Sequence, residues 1–161
     1  MDWLKSFVAE SNRIEGITRA PTKKEVAAHA RVLSRPAIFI DDLSGFVQSV
    51  APGHTLRDKV GLNVRVGRHI APAGGPDVPV RLEAILRNIT LANPYRIHCD
   101  YELLHPFTDG NGRSGRALWL WQMLQIGGRG FNQAKALGFL HTFYYQTLSE
   151  QRLPTPPAEV A

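Results

Sequence analysis

The chain has 161 residues, 43% hydrophobic and 20% charged, so one globular domain with a buried core is expected, and no apolar run approaches the ~20 residues of a membrane span. The formal net charge is +5 and fourteen of the nineteen basic residues are arginine. That favours anionic partners and planar phosphate contacts, but the charge is scattered and carries no nucleic-acid-binding pattern. Cys99 is the single cysteine, which excludes an intrachain disulfide and a multi-thiolate zinc cage and fits a reducing cytoplasm; the N-terminus lacks the basic start and apolar stretch of a signal peptide.

A short amphipathic helix is predicted from about Trp3 toward Glu15. Thr22 and Glu25 after Pro21 form a capping box, because each side chain can satisfy the other's backbone donor, and they open a helix through Val26, Ala30 and Leu33. A third helix is expected around Asp42 to Val50, ending before Pro52. Leu62, Val64 and Val66 then alternate with Asn63 and Arg65, the period of a strand, and the turn-rich stretch behind them makes a small hairpin. Its second strand, near Ile70, is short and broken by prolines. APAGGPDVP, 71 to 79, reads as a loop. Helical spacing returns over Val80 to Ile89. Asn93 and Pro94 read as a cap followed by proline at the first helical position, and that helix carries Ile97, Tyr101 and Leu104 until Pro106 halts it. A further helix spans Arg113 to Ile126, ended by Gly127 and Gly128, with one of Trp119 and Trp121 in the core and the other near the surface or an interface. The last helix runs from about Asn132 to Leu148, where His141, Phe143, Tyr144 and Tyr145 read as aromatic core. Residues 154 to 161 read as a frayed tail.

The stretch HPFTDGNGRSGR, His105 to Arg116, is the densest in chemistry. Its inner part spells G-x-G-x-x-G, but a dinucleotide fingerprint needs a buried strand before it and an acidic residue ~20 positions beyond it, and neither is present. A Walker loop fails for want of Gly-Lys-Ser/Thr. Phosphate is still the ligand the residues suit. The loop opens a helix, whose free N–H groups and positive dipole end favour an anion, and glycines allow close approach. Arg113 and Arg116 in the first turn oppose the dipole unless an anion binds between them. Asp109 supplies a hard oxygen for Mg2+, and His105 is a natural general base. A zinc cluster of His98, Asp100, His105 and Asp109 has no recognised spacing. Cys99 carries no catalytic partner signal.

These residues fill every fixed position of H-x-F-x-D/E-G-N-G-R-x-x-R, and the chain thus resembles the Fic domain family, with the layout of flanking elements over roughly 22 to 148 in agreement. The resemblance implies an all-α Fic fold, a helical core with a small β-hairpin flap. It implies Mg2+-dependent transfer of AMP from ATP to a Ser, Thr or Tyr hydroxyl of a protein target. His105 would take the proton, Asp109 hold Mg2+, and Gly110, Asn111 and Gly112 form the anion hole, with the Asn111 side chain on the α-phosphate. Arg113 would hold the β-phosphate and Arg116 the γ-phosphate, while Phe107 would anchor the loop. Ser11, Glu15 and Gly16 resemble the family's inhibitory motif S/T-x-x-x-E-G/N, in which the glutamate pairs with the second arginine, here Arg116. Residues 1–20 would then be an inhibitory segment, 21–150 the catalytic domain and 151–161 a flexible tail, with no separate antitoxin required and no helix-turn-helix extension. The flap segment Leu62, Asn63, Val64, Arg65 and Val66 would dock the target's backbone by strand addition. A bacterial cytoplasm is the expected home, and a homodimer is a further expected partner; nucleic acid and membrane are not. Other nucleotide donors, AMP removal and a non-catalytic nucleotide-binding module are the alternatives. A phosphotransferase branch is disfavoured, since it commonly carries lysine where Gly112 stands.

Overall fold

The computed structural model describes residues 2–67, 69–89 and 94–127. Among them lie six helices and one two-stranded antiparallel ribbon: α1 (Asp2–Ile14), α2 (Lys23–Leu33), α3 (Ile40–Val50), β1 (Arg65–Val66), β2 (His69–Ile70), α4 (Asp77–Arg87), α5 (Pro94–Leu104) and α6 (Asn111–Ile126). This is the all-α architecture with a small hairpin expected from the sequence. The helix predicted over 132 to 148, its four aromatic residues, the cap at Asn93 and the tail fall outside the described residues.

The organising element is α6. It packs against α1, α2, α3 and α5, and its side chains from Asn111 to Met123 are buried apart from Gly112. A helix enclosed on all faces needs apolar residues all round, which ALWLWQML supplies. Trp119 and Trp121 are both buried, so neither lies near the surface, and they face different clusters. Trp121 joins the main core with Phe46, Leu82, Tyr101 and Phe107. Trp119, Leu120 and Met123 instead form a separate seam with Leu4, Phe7 and Val8 of α1. That seam fastens the N-terminal helix to the body.

Local chemistry sets the helix ends. The capping box forms as predicted: Glu25 N donates to Thr22 Oγ1 and Thr22 N to Glu25 Oε2. α1 ends in a Schellman motif: Ile17 N donates to Asn12 O, Gly16 N to Arg13 O, and Gly16 takes φ +75°. Glu15 therefore sits at the helix cap, fixed in direction by the glycine after it. α5 and α6 approach closely at Gly115, where a Cβ would meet Glu102 Oε1 at 2.5 Å and Tyr101 Cδ1 at 3.0 Å.

The hairpin is shorter than the alternation suggested. Arg65 pairs with Ile70 and Val66 with His69. Leu62, Val64 and Val66 are half-buried while Asn63 and Arg65 are exposed, so the period-2 pattern holds, but Leu62, Asn63 and Val64 lie outside the ladder. In the register, Pro72 falls opposite Asn63 and has no N–H to extend the pairing. Leu62 and Asn63 are held in turns by Lys59 O and Gly61 O. The segment 71 to 79 is no loose loop: Gly74 presses on the Leu62 backbone so tightly that a Cβ there would overlap it, and Gly74 N donates to Asn63 Oδ1 at 2.9 Å.

Candidate active site

The loop between α5 and α6 presents the sequence-predicted residues together. Gly110 adopts φ +79° at the N-cap of α6, with no side chain capping the helix, so the first-turn N–H groups of Asn111, Gly112 and Arg113 are available to an anion. A Cβ at Gly110 would crowd Ala51 at 3.2 Å, and an L-residue there would be strained. Asp109 stands beside this N-terminus with its side chain 56% exposed; Oδ2 lies 4.0 Å from Arg113 Nη2, and Oδ1 accepts from Gly110 N.

Asn111 departs from its implied role. Its Oδ1 accepts from Phe107 N and its Nδ2 donates to Phe107 O, each at 2.8 Å, and the side chain is buried. The amide staples the loop shut rather than facing a phosphate; its backbone N–H remains part of the cradle. Phe107 is wholly buried, as expected of an anchor. Ser114 Oγ donates to Gly110 O at 2.9 Å and receives the Tyr101 hydroxyl at 2.6 Å; burial pushes the pKa of that phenol upward, so it stays a neutral donor.

The two arginines are differently employed. Arg113 Nη1 donates to Val50 O, at the end of α3, at 2.6 Å. Arg116 is buried and reaches α1: Nε donates to Ser11 Oγ at 2.9 Å, Nη2 to Ser11 O at 2.9 Å and to Glu15 Oε1 at 2.5 Å. Glu15 and Ser11 thus meet Arg116 across about a hundred residues of chain, the pairing that the motif implied. The Glu15 carboxylate also covers Gly112, where a Cβ would run into Oε1. A carboxylate therefore already occupies the positive end of α6 beside a guanidinium, the position an anion prefers.

His105 lies just past α5 with φ +51°, the only non-glycine residue with positive φ among those described. Its Nδ1 is 3.4 Å from Glu102 O and 3.8 Å from Glu102 Oε2. With the proton on Nδ1 turned toward Glu102, Nε2 is left as the basic nitrogen.

Sequence reasoning missed two residues here. His54 places Nδ1 3.1 Å from Thr108 Oγ1 and Nε2 3.8 Å from Asp109 Oδ2. Arg57 is fully buried, and burial, then the charge of Arg81, lowers its pKa from the ordinary arginine value. It lies in a segment laid antiparallel along the loop, with Leu56 opposite Phe107 and Thr108 N donating to Thr55 O. No periodicity or motif marked either residue. Leu62, in the expected docking segment Leu62 to Val66, accepts from Arg57 Nη1 through its carbonyl, and Asn63, exposed, accepts from Gly74 N through Oδ1. His98 is buried in α5 and Asp100 pairs with Arg96; among the described residues no three metal-binding side chains cluster. Burial pushes the Cys99 thiol up, which keeps it unreactive. No helix among the described residues is long and apolar enough to cross a membrane.

Asp109 fits Mg2+ of the kind held by one carboxylate, waters and substrate phosphates, because its exposed carboxylate adjoins the anion cradle without a protein cage. In comparison with known proteins, a family model described as the Fic/DOC family matches residues 37–123, more than half of the chain. No match was found among curated proteins.

Proposed function

The chain belongs to the Fic/DOC family, and on that premise we propose that it transfers AMP from ATP to a Ser, Thr or Tyr hydroxyl of a protein target and that Glu15 restrains the transfer. The observation that carries the proposal is one helix N-terminus without a side-chain N-cap bond, bearing an exposed carboxylate and two arginines, with His105 in the loop six residues before its first residue. The attacking hydroxyl oxygen would form a bond to the α-phosphorus, the bond to the bridging oxygen would break, pyrophosphate would leave, and the hydroxyl proton would pass to His105 Nε2. The first-turn N–H groups of α6 would hold the α-phosphate as charge develops, which is electrostatic catalysis by preorganised donors. Asp109 would hold Mg2+, which supplies charge neutralisation across the phosphates. Arg113 and Arg116 would then serve the departing phosphates.

Restraint follows from competition for one place. Arg116 cannot serve a γ-phosphate while Ser11 and Glu15 hold it, and the Glu15 carboxylate over Gly112 repels a phosphate from the same helix end. The family match begins after α1 and α2, so support for restraint comes from this contact.

The experiment incubates wild type, Glu15→Gly and Glu15→Gly/His105→Ala with α-labelled ATP, Mg2+ and a cell lysate. Label on protein with Glu15→Gly alone is the expected result, and loss of His105 removes on the order of 10²- to 10⁴-fold. Equal labelling by wild type and Glu15→Gly would refute the restraint. Removal of AMP from a modified protein is the second reading, favoured by a carboxylate placed at the cradle where it can hold water; there Glu15→Gly abolishes activity instead of releasing it. A labelled panel of UTP, GTP and CDP-alcohols tests the donor.

A further inference from the structure

We propose that Arg57 is a positioning residue for transfer: it holds His105 in its left-handed conformation and ties that conformation to the flap. This rests on the assignment of His105 as the base. A left-handed torsion at a side-chain-bearing residue persists only where the surroundings dictate it. Three successive carbonyls bracket the torsion at His105, and residue 57 binds all three. Arg57 Nη2 donates to Leu104 O at 2.8 Å, Nε to His105 O at 2.7 Å, and the Arg57 backbone N to Pro106 O at 2.9 Å.

The same guanidinium reaches both arms of the flap. Nη1 donates to Leu62 O at 3.1 Å and to Pro72 O at 2.8 Å, and Arg57 O in turn accepts from Gly75 N at 2.9 Å. One planar fork therefore joins the end of α5, the base and the two chain segments that lead into and out of β1 and β2. The choice of residue follows from the geometry. Four carbonyls in different directions need the spread donors of a guanidinium, whereas an ammonium offers three from one point. The negative end of α5 offsets the buried charge without a carboxylate, so the fork is free to satisfy backbone alone. A target strand that docks on the flap and shifts Leu62 or Pro72 would act on the carbonyl of His105 through a single side chain.

The test uses the full chain carrying Glu15→Gly, with and without Arg57→Lys, and reads three quantities: transfer rate, ATP affinity in Mg2+, and the imidazole NMR signals of His105, assigned by their loss in His105→Gln. Displacement of the base by about 1 Å predicts a fall on the order of 10²-fold in rate, with ATP affinity held within about twofold and His105 signals moved. A purely structural role would lower the melting temperature and leave the His105 signals and the rate of the folded fraction unchanged; that result overturns the proposal. If Arg57→Lys does not fold, Gly74→Ala takes its place, because the three atoms nearest its Cβ all belong to the Leu62 backbone; moved His105 signals support the coupling and unmoved ones refute it. Should the Glu15→Gly parent transfer nothing, the proposed reaction fails, while the His105 signals still decide the role of Arg57.

Discussion

His29 makes folding stability depend on pH. It is buried on α2, its Nδ1–H donates to Glu25 O at 2.8 Å, and its ring stands edge-on to Phe46 at 4.7 Å and Phe7 at 6.1 Å. Nε2, the acceptor of that tautomer, has no hydrogen-bond partner among the described residues. Burial chiefly, with Arg116 and Arg113 adding to it, lowers the pKa from 6.5 to about 4. The folded value is the depressed one, so as pH falls the unfolded chain takes the proton first. The contribution is complete above 6.5 and is lost as pH falls toward 4. The difference converts to about 3 kcal/mol, at roughly 1.4 kcal/mol for each unit. Urea unfolding at pH about 7 and about 4.5, compared between wild type and His29→Leu, isolates it, because the substitution removes the titrating group and keeps an apolar side chain. Wild type should lose most of that amount over the interval and His29→Leu far less. Equal pH slopes in the two proteins would refute a buried neutral imidazole. Glu25, held at about 2 mainly by Arg19, loses its contribution in a lower window, below 4.5, so the two groups separate.

Gly112→Ala places a methyl group against the Glu15 carboxylate and should break the Glu15–Arg116 pair; crystallography or the Glu15 carboxyl NMR signal would show it, and an unmoved Glu15 would contradict the contact. Leu4→Ala opens a cavity in the α1 seam and should lower stability by about 2–5 kcal/mol. Because that seam presses α1, which leads to the proposed restraint at Glu15, onto α6, transfer should also rise, although Leu4 is far along α1 from Glu15; stability lost with no gain in transfer would show that α1 undocking does not control the site.

What the sequence made legible was local or densely patterned. Thr22 and Glu25 sit three apart and satisfy each other, so no tertiary contact is needed to read them. The glycines and arginines from Gly110 to Arg116 marked the densest candidate site because they cluster within one helix start, which the structure confirms as the N-terminus of α6. Gly16 explains itself once Ile17 and Asn12 close a Schellman motif. Long-range geometry was legible only where a motif carried it, as in the Glu15–Arg116 pair. Arg57 is one arginine among fourteen, and its partners Leu104 to Pro106 lie far along the chain and contribute only backbone. The resemblance implied a ligand role for the Asn111 side chain, whereas its amide bonds the main chain of Phe107 four positions back. The ladder is shorter than the alternation because alternation reports burial, and Leu62 meets Gly74 outside the ladder.

Two tryptophans two residues apart face different cores, and this gives the molecule its own optical readout. Trp121 lies in the main core with Nε1 bonded to Arg35 O at 2.9 Å. Trp119 lies in the seam under Leu4, Phe7 and Val8, with Trp3 of α1 packed at its margin. Lifting α1 from the body would bring water to Trp119 and Trp3 while Trp121 stays dry. Emission would then shift to the red in part, in a molecule whose far-UV spectrum is unchanged. Intrinsic fluorescence thus follows the N-terminal helix in the unlabelled protein, and the fraction of molecules with α1 docked becomes a quantity to titrate.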